Sequence, residues 1–154
     1  MKWGRLRNIY YLTVKGIDEL FPRKYPDFSI GLIGAVLAID GEQKIKTLLQ
    51  REMEQRAAGF FEGSKFKSLD EKVRLLADYF NQQGYMVEVE EKDDAFIFWE
   101  YHCALINIAE KYQQICQVEL SFLQDLLGRP IQRECHINSG DNCCSYRIPK
   151  INKI

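Results

Sequence analysis

The sequence predicts an α+β fold, on three observations. Apolar residues recur at helical spacing through the first half, the period changes from 3.6 to 2 after Gly84, and the two alternating pairs of segments beyond that point flank two further helical stretches. The chain has 154 residues, 46% of them hydrophobic, which is enough apolar surface for one substantial core. Its 21 basic and 22 acidic side chains give a net charge of -1, excluding a uniformly basic nucleic-acid-binding surface and leaving room only for local patches. The longest apolar run, residues 30–39 (IGLIGAVLAI), is about half of a bilayer-spanning helix, and the N-terminal residues lack the apolar stretch of a signal peptide. A cytoplasmic protein with no membrane partner is expected.

Taken in order, residues 1–25 are the basic patch, with Lys2, Arg5, Arg7, Lys15, Arg23 and Lys24 against Asp18 and Glu19. Residues 8–12 (NIYYL) read as a short strand, preceded by a turn at Gly4. Thr13 is placed to N-cap helical turns through Ile17, Leu20 and Phe21. After a break between Pro22 and Pro26, residues 27–39 present Ile30, Ile33, Leu37 and Ala38 on a face so broad that the helix is expected to be almost wholly buried. A homodimer interface is the expected means of burial. Residues 42–61 form a longer helix with one apolar stripe, Ile45, Leu48, Leu49, Met53 and Ala57.

Ser68-Leu69-Asp70-Glu71 is a capping box, and it opens a helix with Val73, Leu76, Tyr79 and Phe80 inward, ending before a left-handed Gly84. Residues 85–91 and 95–101 then form an antiparallel hairpin around Lys92-Asp93-Asp94. Helices at 104–112 and 116–127, the second closed by Gly128, precede a hairpin of 131–137 and 144–148 around Asn138-Ser139-Gly140-Asp141. The C-terminal half is thus β-β-α-α-β-β. The acidic stretch 88–100, with six acids and one lysine, reads as the solvent side of the first hairpin. One boundary is marked, near residues 64–68, where helical segments give way to the α+β unit.

All five cysteines (Cys103, Cys116, Cys135, Cys143 and Cys144) fall in this last unit. Their odd number, and the lack of a secretory signal, favour reduced thiols able to bind metal over a disulfide framework. Cys103 ends a strand before a helix, Cys116 begins the next helix, and Cys135 and Cys144 stand on the two arms of one hairpin. Helix N-termini favour thiolate, the form that binds soft metals and iron–sulfur clusters. Without a Cys-x-x-Cys knuckle, a zinc ribbon or thioredoxin-like site has no support, and a site assembled by the tertiary fold is expected. His102 and His136, each beside a cysteine, are further ligand candidates. Alternation, however, sends neighbours to opposite faces, so only one of each pair, and only one of Cys143 and Cys144, should point inward.

Residues 102–148 (HCALINIAEKYQQICQVELSFLQDLLGRPIQRECHINSGDNCCSYRI) resemble the C-terminal region of SufR-type transcriptional regulators, which are iron–sulfur-sensing winged-helix repressors. Residues 4–25 (GRLRNIYYLTVKGIDELFPRKY) resemble the wing of that winged helix and the helix after it. The resemblance implies a homodimer carrying an oxygen-sensitive 4Fe-4S cluster whose cluster-bearing form represses genes for iron–sulfur cluster assembly. It divides the chain into a winged-helix remnant (1–25), a helical linker and dimerisation segment (26–66) and an iron–sulfur sensor domain (67–154). Cys103, Cys116 and Cys144 match the family's cysteines. The remaining family cysteine falls near Pro130, so that Cys135 serves instead, or a histidine, a water or nothing completes a three-cysteine site. Arg5 and Arg7 are the candidate DNA contacts. The recognition helix that precedes a wing has no counterpart before Asn8, so operator binding is expected only of a longer form.

A reading from another class is a metal-free small-molecule-binding regulatory domain, its pocket lined by Phe96, Phe98, Trp99 and Tyr101. No enzyme is expected, since Cys103 beside His102 lacks an orienting third group.

Overall fold

Gly41 divides the first long helix of the computed structural model, which describes residues 10, 11, 13, 16, 24–62 and 68–151. Helix α1 (Tyr25–Phe61) is two helical arms meeting at Gly41, whose φ of 79° and ψ of 178° are open to glycine and strained for any other residue. The arms correspond to the two helices expected at 27–39 and 42–61. The second arm packs along the C-terminal domain, burying Ile45 and Ala57. The first arm departs from expectation. No residue of 25–40 is buried within the chain, and Phe28, Leu32 and Ile39 are 70%, 54% and 80% exposed. Of the apolar face predicted from the sequence, Ile30, Ile33 and Leu37 are half-buried and Ala38 is exposed, with the Tyr112 hydroxyl set against Gly34.

Farther N-terminal, the Thr13 hydroxyl accepts the Gly16 N–H at 3.1 Å, the cap expected at that position. Tyr10 and Tyr11 are exposed and belong to no strand, in contrast to the strand expected at 8–12. The rest of the expected wing, including Arg5 and Arg7, lies outside the described residues.

Helix α2 (Leu69–Gln82) begins and ends as its sequence dictates. Ser68 Oγ accepts the Glu71 N–H at 3.1 Å. At the other end the Tyr85 N–H bonds Phe80 O and the Gly84 N–H bonds Asn81 O, both at 3.1 Å, with Gly84 at φ 91° and the Tyr85 ring 4.9 Å from that of Phe80. This is a Schellman stop with its apolar contact. Val73, Leu76, Ala77, Tyr79 and Phe80 form its buried stripe, and burying a residue such as Leu76 contributes about 1.5–3 kcal/mol.

Strands β1 (Val87–Glu91), β2 (Ala95–Glu100), β3 (Gln132–Cys135) and β4 (Cys144–Pro149) form one antiparallel sheet in the order β1-β2-β4-β3. Between the hairpins lie a single turn of helix, α3 (Ile106–Ala109), and α4 (Gln114–Leu127), closed by Gly128 at φ 63°. The β-β-α-α-β-β order is as expected, but the helix expected at 104–112 shrinks to one turn. Its start has no side-chain cap, and Ile106, Asn107 and Ile108 are poor helix formers.

Register fixes the two faces of the sheet. Phe98 opposes Tyr146, Phe96 opposes Ile148, Glu100 opposes Cys144 and Arg133 opposes Tyr146, so these side chains share one face. Helices cover that face, and the main core joins Phe96, Phe98, Tyr146 and Ile148 to Leu76, Phe80, Phe122 and Leu123. Trp99, Ser145 and Cys135 belong to the other face. Trp99 and Tyr101 stack at 6.4 Å, with the indole N–H donating to Glu90. The aromatics named for a pocket divide as strand alternation requires, Phe96 and Phe98 into the core and Trp99 onto the opposite face.

Candidate functional site

Three chain segments deliver a thiol to one cleft. Cys103 follows β2, Cys116 lies in the first turn of α4, and Cys144 opens β4 on the helix-covered face; all three line the cleft together with His136, Glu119 and Asn138. Leu105, Ile106, Ala109 and Ile115 supply its apolar wall. The space between them is closed down to about 10 Å³, room for a single water.

Cys135, the fourth cysteine named from the sequence, is elsewhere. It opposes Ser145 across a register shift, its N–H bonding Ser145 Oγ at 3.1 Å, and burial, together with Cys135 itself, raises the pKa of the neighbouring Cys143 thiol. The alternation of the strand that turns Cys144 inward puts Cys143 outward, as expected. Likewise His136 lines the cleft and Cys135 does not. His102 is exposed.

Burial rather than the helix dipole sets the thiol chemistry. It pushes Cys103 and Cys144 up to about 12, against the Leu105 and Ile137 amides that pull each of them down, and Cys116 up to about 11, with nearby Glu119 adding to the rise. The expectation that helix N-termini favour thiolate here is thus overridden by desolvation. All three sulfurs are protonated at neutral pH, and a metal binding there must displace their protons.

Below the thiols lies a buried polar network that sequence reading placed partly on the surface. Glu100 is 1% exposed and Glu119 7% exposed. The Tyr146 hydroxyl donates to Glu119 Oε1 at 2.6 Å, and the Tyr85 hydroxyl bonds the same carboxylate. Arg133 donates to the Cys116 carbonyl and, at 3.4 Å, to Tyr146 Oη, its guanidinium 5.3 Å from the centre of the Tyr146 ring. Burial and mutual repulsion raise Glu100 well above the carboxylate range, and burial raises Glu119. Glu100 Oε1 has no hydrogen-bond partner. Parity in β2 was the available signal, because Glu100 follows Phe96 and Phe98 at intervals of two; Glu119, four residues after Ile115, likewise sits on the apolar stripe of its helix.

His136 is held by its neighbours. Its N–H bonds Asp141 Oδ2 at 2.7 Å, its carbonyl accepts from Ser139 N at 2.9 Å, and its Nδ1 lies 3.1 Å from Ser139 Oγ. Nε2 is buried with no partner. Burial, then the charge of Arg133, lowers its pKa and keeps the imidazole neutral at pH 7.

Among the described residues no group of three or more His, Cys, Asp or Glu is arranged to hold a single metal ion. A polynuclear cluster spreads its ligands over separate irons, so its thiolates stand farther apart than those of one ion. The donor set is soft sulfur with one imidazole, which suits iron–sulfur chemistry and not magnesium or calcium. The walls of the cleft are short, the single turn α3 and the 3-10 turn Ile137–Ser139, and a cluster held there would have to part them. No helix among the described residues is long and apolar enough to cross a membrane.

The fold and cleft thus define an α+β unit, a four-stranded antiparallel sheet with a three-thiol cleft at the end of its helical layer. No protein-family model and no curated protein matches the chain.

Proposed function

We propose that residues 67–154 form an iron–sulfur-binding sensor domain of a SufR-like transcriptional regulator, holding a 4Fe-4S cluster through Cys103, Cys116 and Cys144. The observation that carries this reading is the convergence of three thiols, from three separate segments, on one cleft. Widely spaced cysteines that merely filled a core would have no reason to meet. When bound, the cluster supplies an oxygen-sensitive, electron-accepting centre. The chain's own contribution is to shield it with Leu105, Ile106 and Ile115 and to fix the thiols on strand and helix ends. Asn138 Nδ2 ties the 137–139 turn to α3 through the Ala109 carbonyl at 2.8 Å, so a cluster held by the thiols would bear on both of these walls.

The exposed apolar side chains Phe28, Leu32 and Ile39 of the first arm support a homodimer in which this arm packs on its counterpart.

Anaerobic reconstitution with iron and sulfide, followed by the visible spectrum and by iron and sulfide analysis, tests the reading. A brown protein with about four iron and four sulfide per chain is expected, and Cys116→Ser should abolish it. A colourless wild-type protein whose fold is intact refutes the proposal.

A further inference from the structure

Three cysteines leave one iron of a four-iron cluster without a protein ligand, and two residues compete for that position. Cys135 is the obvious one by type, but register places it with Ser145 on the sheet face opposite Cys144, and it does not line the cleft. To reach the cleft it would have to reverse the pleat of β3.

His136, the next residue, already lines the cleft. Its ring is fixed through Nδ1 to Ser139 Oγ at 3.1 Å, and its backbone through Asp141 and Ser139. That leaves Nε2 buried and without a hydrogen-bond partner. An unsatisfied buried nitrogen has a cost that the fold normally avoids. The residue that carries it lines the same cleft as three thiols. A metal-bound imidazole characteristically donates its other N–H to a nearby oxygen, which orients the ring and fixes the tautomer; Ser139 Oγ is that oxygen. The carboxylates are poorer candidates. Glu119 is engaged by two tyrosine hydroxyls, and Glu100 lies beneath the cleft rather than in its lining.

We infer that His136 Nε2 is the fourth protein ligand of the cluster, in place of Cys135, so that the site is Cys103, Cys116, Cys144 and His136. This rests on the iron–sulfur reading above and adds to it a ligand of a different kind. A neutral imidazole in place of a thiolate leaves the cluster one negative charge poorer and raises its reduction potential.

The test uses the full-length protein, reconstituted anaerobically and reduced to its paramagnetic state, with pulsed electron paramagnetic resonance on samples carrying histidine of natural abundance or labelled with nitrogen-15. The chain has only two histidines, so His102→Gln is the internal control. A strongly coupled histidine nitrogen is expected in wild type and in His102→Gln, lost in His136→Ala. His136→Cys should retain the iron and sulfide content and shift the midpoint potential downward. Cys135→Ser should leave both spectrum and potential unchanged. If wild type takes up no iron and sulfide, the iron–sulfur reading falls and this inference with it. If wild type holds the cluster without a coupled nitrogen, or if Cys135→Ser loses it, the inference alone is overturned. The nitrogen coupling is read in the wild-type protein, so a poorly folded variant cannot leave the question undecided.

Discussion

Tyr146→Phe removes one buried hydroxyl at the base of the cleft. Tyr146 is fully buried, and phenylalanine keeps its ring against Phe98 at 6.4 Å, so no cavity opens. What is lost is the O–H donated to Glu119 Oε1 at 2.6 Å, together with the longer bond that Tyr146 Oη accepts from Arg133 at 3.4 Å. Hydrogen bonds to charged groups are worth about 1.5–3 kcal/mol, and because the Tyr85 hydroxyl remains on Glu119, a loss of about 2 kcal/mol is expected. For a chain of this size that corresponds to about 4–8 °C in Tm. The sign of the pH dependence follows from the bond itself. It stabilises the ionised carboxylate and lowers a pKa that burial has raised, so deleting it raises the folded-state value further. The deficit should therefore be largest well above the titration of Glu119 and shrink as the pH falls to about 4, where the carboxyl is protonated in either protein. Urea unfolding of the reduced, metal-free protein, followed by circular dichroism between about pH 4 and pH 8, measures both. A loss below about 0.5 kcal/mol throughout, or one that grows toward acid, would refute the assigned bond.

Glu100→Gln should act in the opposite direction. A folded-state pKa raised by burial and by Glu119 gives stability that is complete below the ordinary carboxylate value and lost as pH rises through the folded value, so the native protein carries a penalty at neutral pH. The amide removes it, and urea unfolding should show a gain of about 1–3 kcal/mol at pH 7 that vanishes near pH 4. Gly41→Ala, at φ 79° and ψ 178°, should cost about 1–3 kcal/mol in the same assay, while Gly31→Ala on the same helix, with open space around it, should be neutral or slightly stabilising. Leu32→Glu should convert a dimer into a monomer in sedimentation at micromolar concentration; a wild-type protein already monomeric there contradicts the role given to the first arm of α1.

The sequence was most legible where a local device decides the outcome. Ser68 with Glu71, Gly84 and Gly128 set helix ends through backbone geometry that needs no tertiary partner, and each stands where it was expected. Alternation assigned the aromatics of β2 to two faces and forecast that only one of Cys143 and Cys144 turns inward. Alternation was also enough to doubt Cys135, since choosing His136 over it needs only the pleat, but the register shift between Arg133 and Cys135 that fixes the matter is a property of the paired strands. The thiol pKa values were out of reach for a related reason. The dipole at a helix start is local, whereas the desolvation that overrides it depends on which walls close over the cleft. The buried carboxylates were hidden by composition, because an acidic run reads as solvent-facing until the parity of Glu100 with Phe96 and Phe98 is given more weight than its charge. The partial exposure of residues 25–40 was out of reach for another reason, because periodicity marks an apolar face without naming what covers it.

Mass spectrometry of cysteine alkylation, compared before and after anaerobic loading with iron and sulfide, bears most directly on the central claim. The account predicts that Cys103, Cys116 and Cys144 become protected together on loading, with Cys135 and Cys143 still modified; protection of Cys135, or of none of the three cleft cysteines, would contradict it.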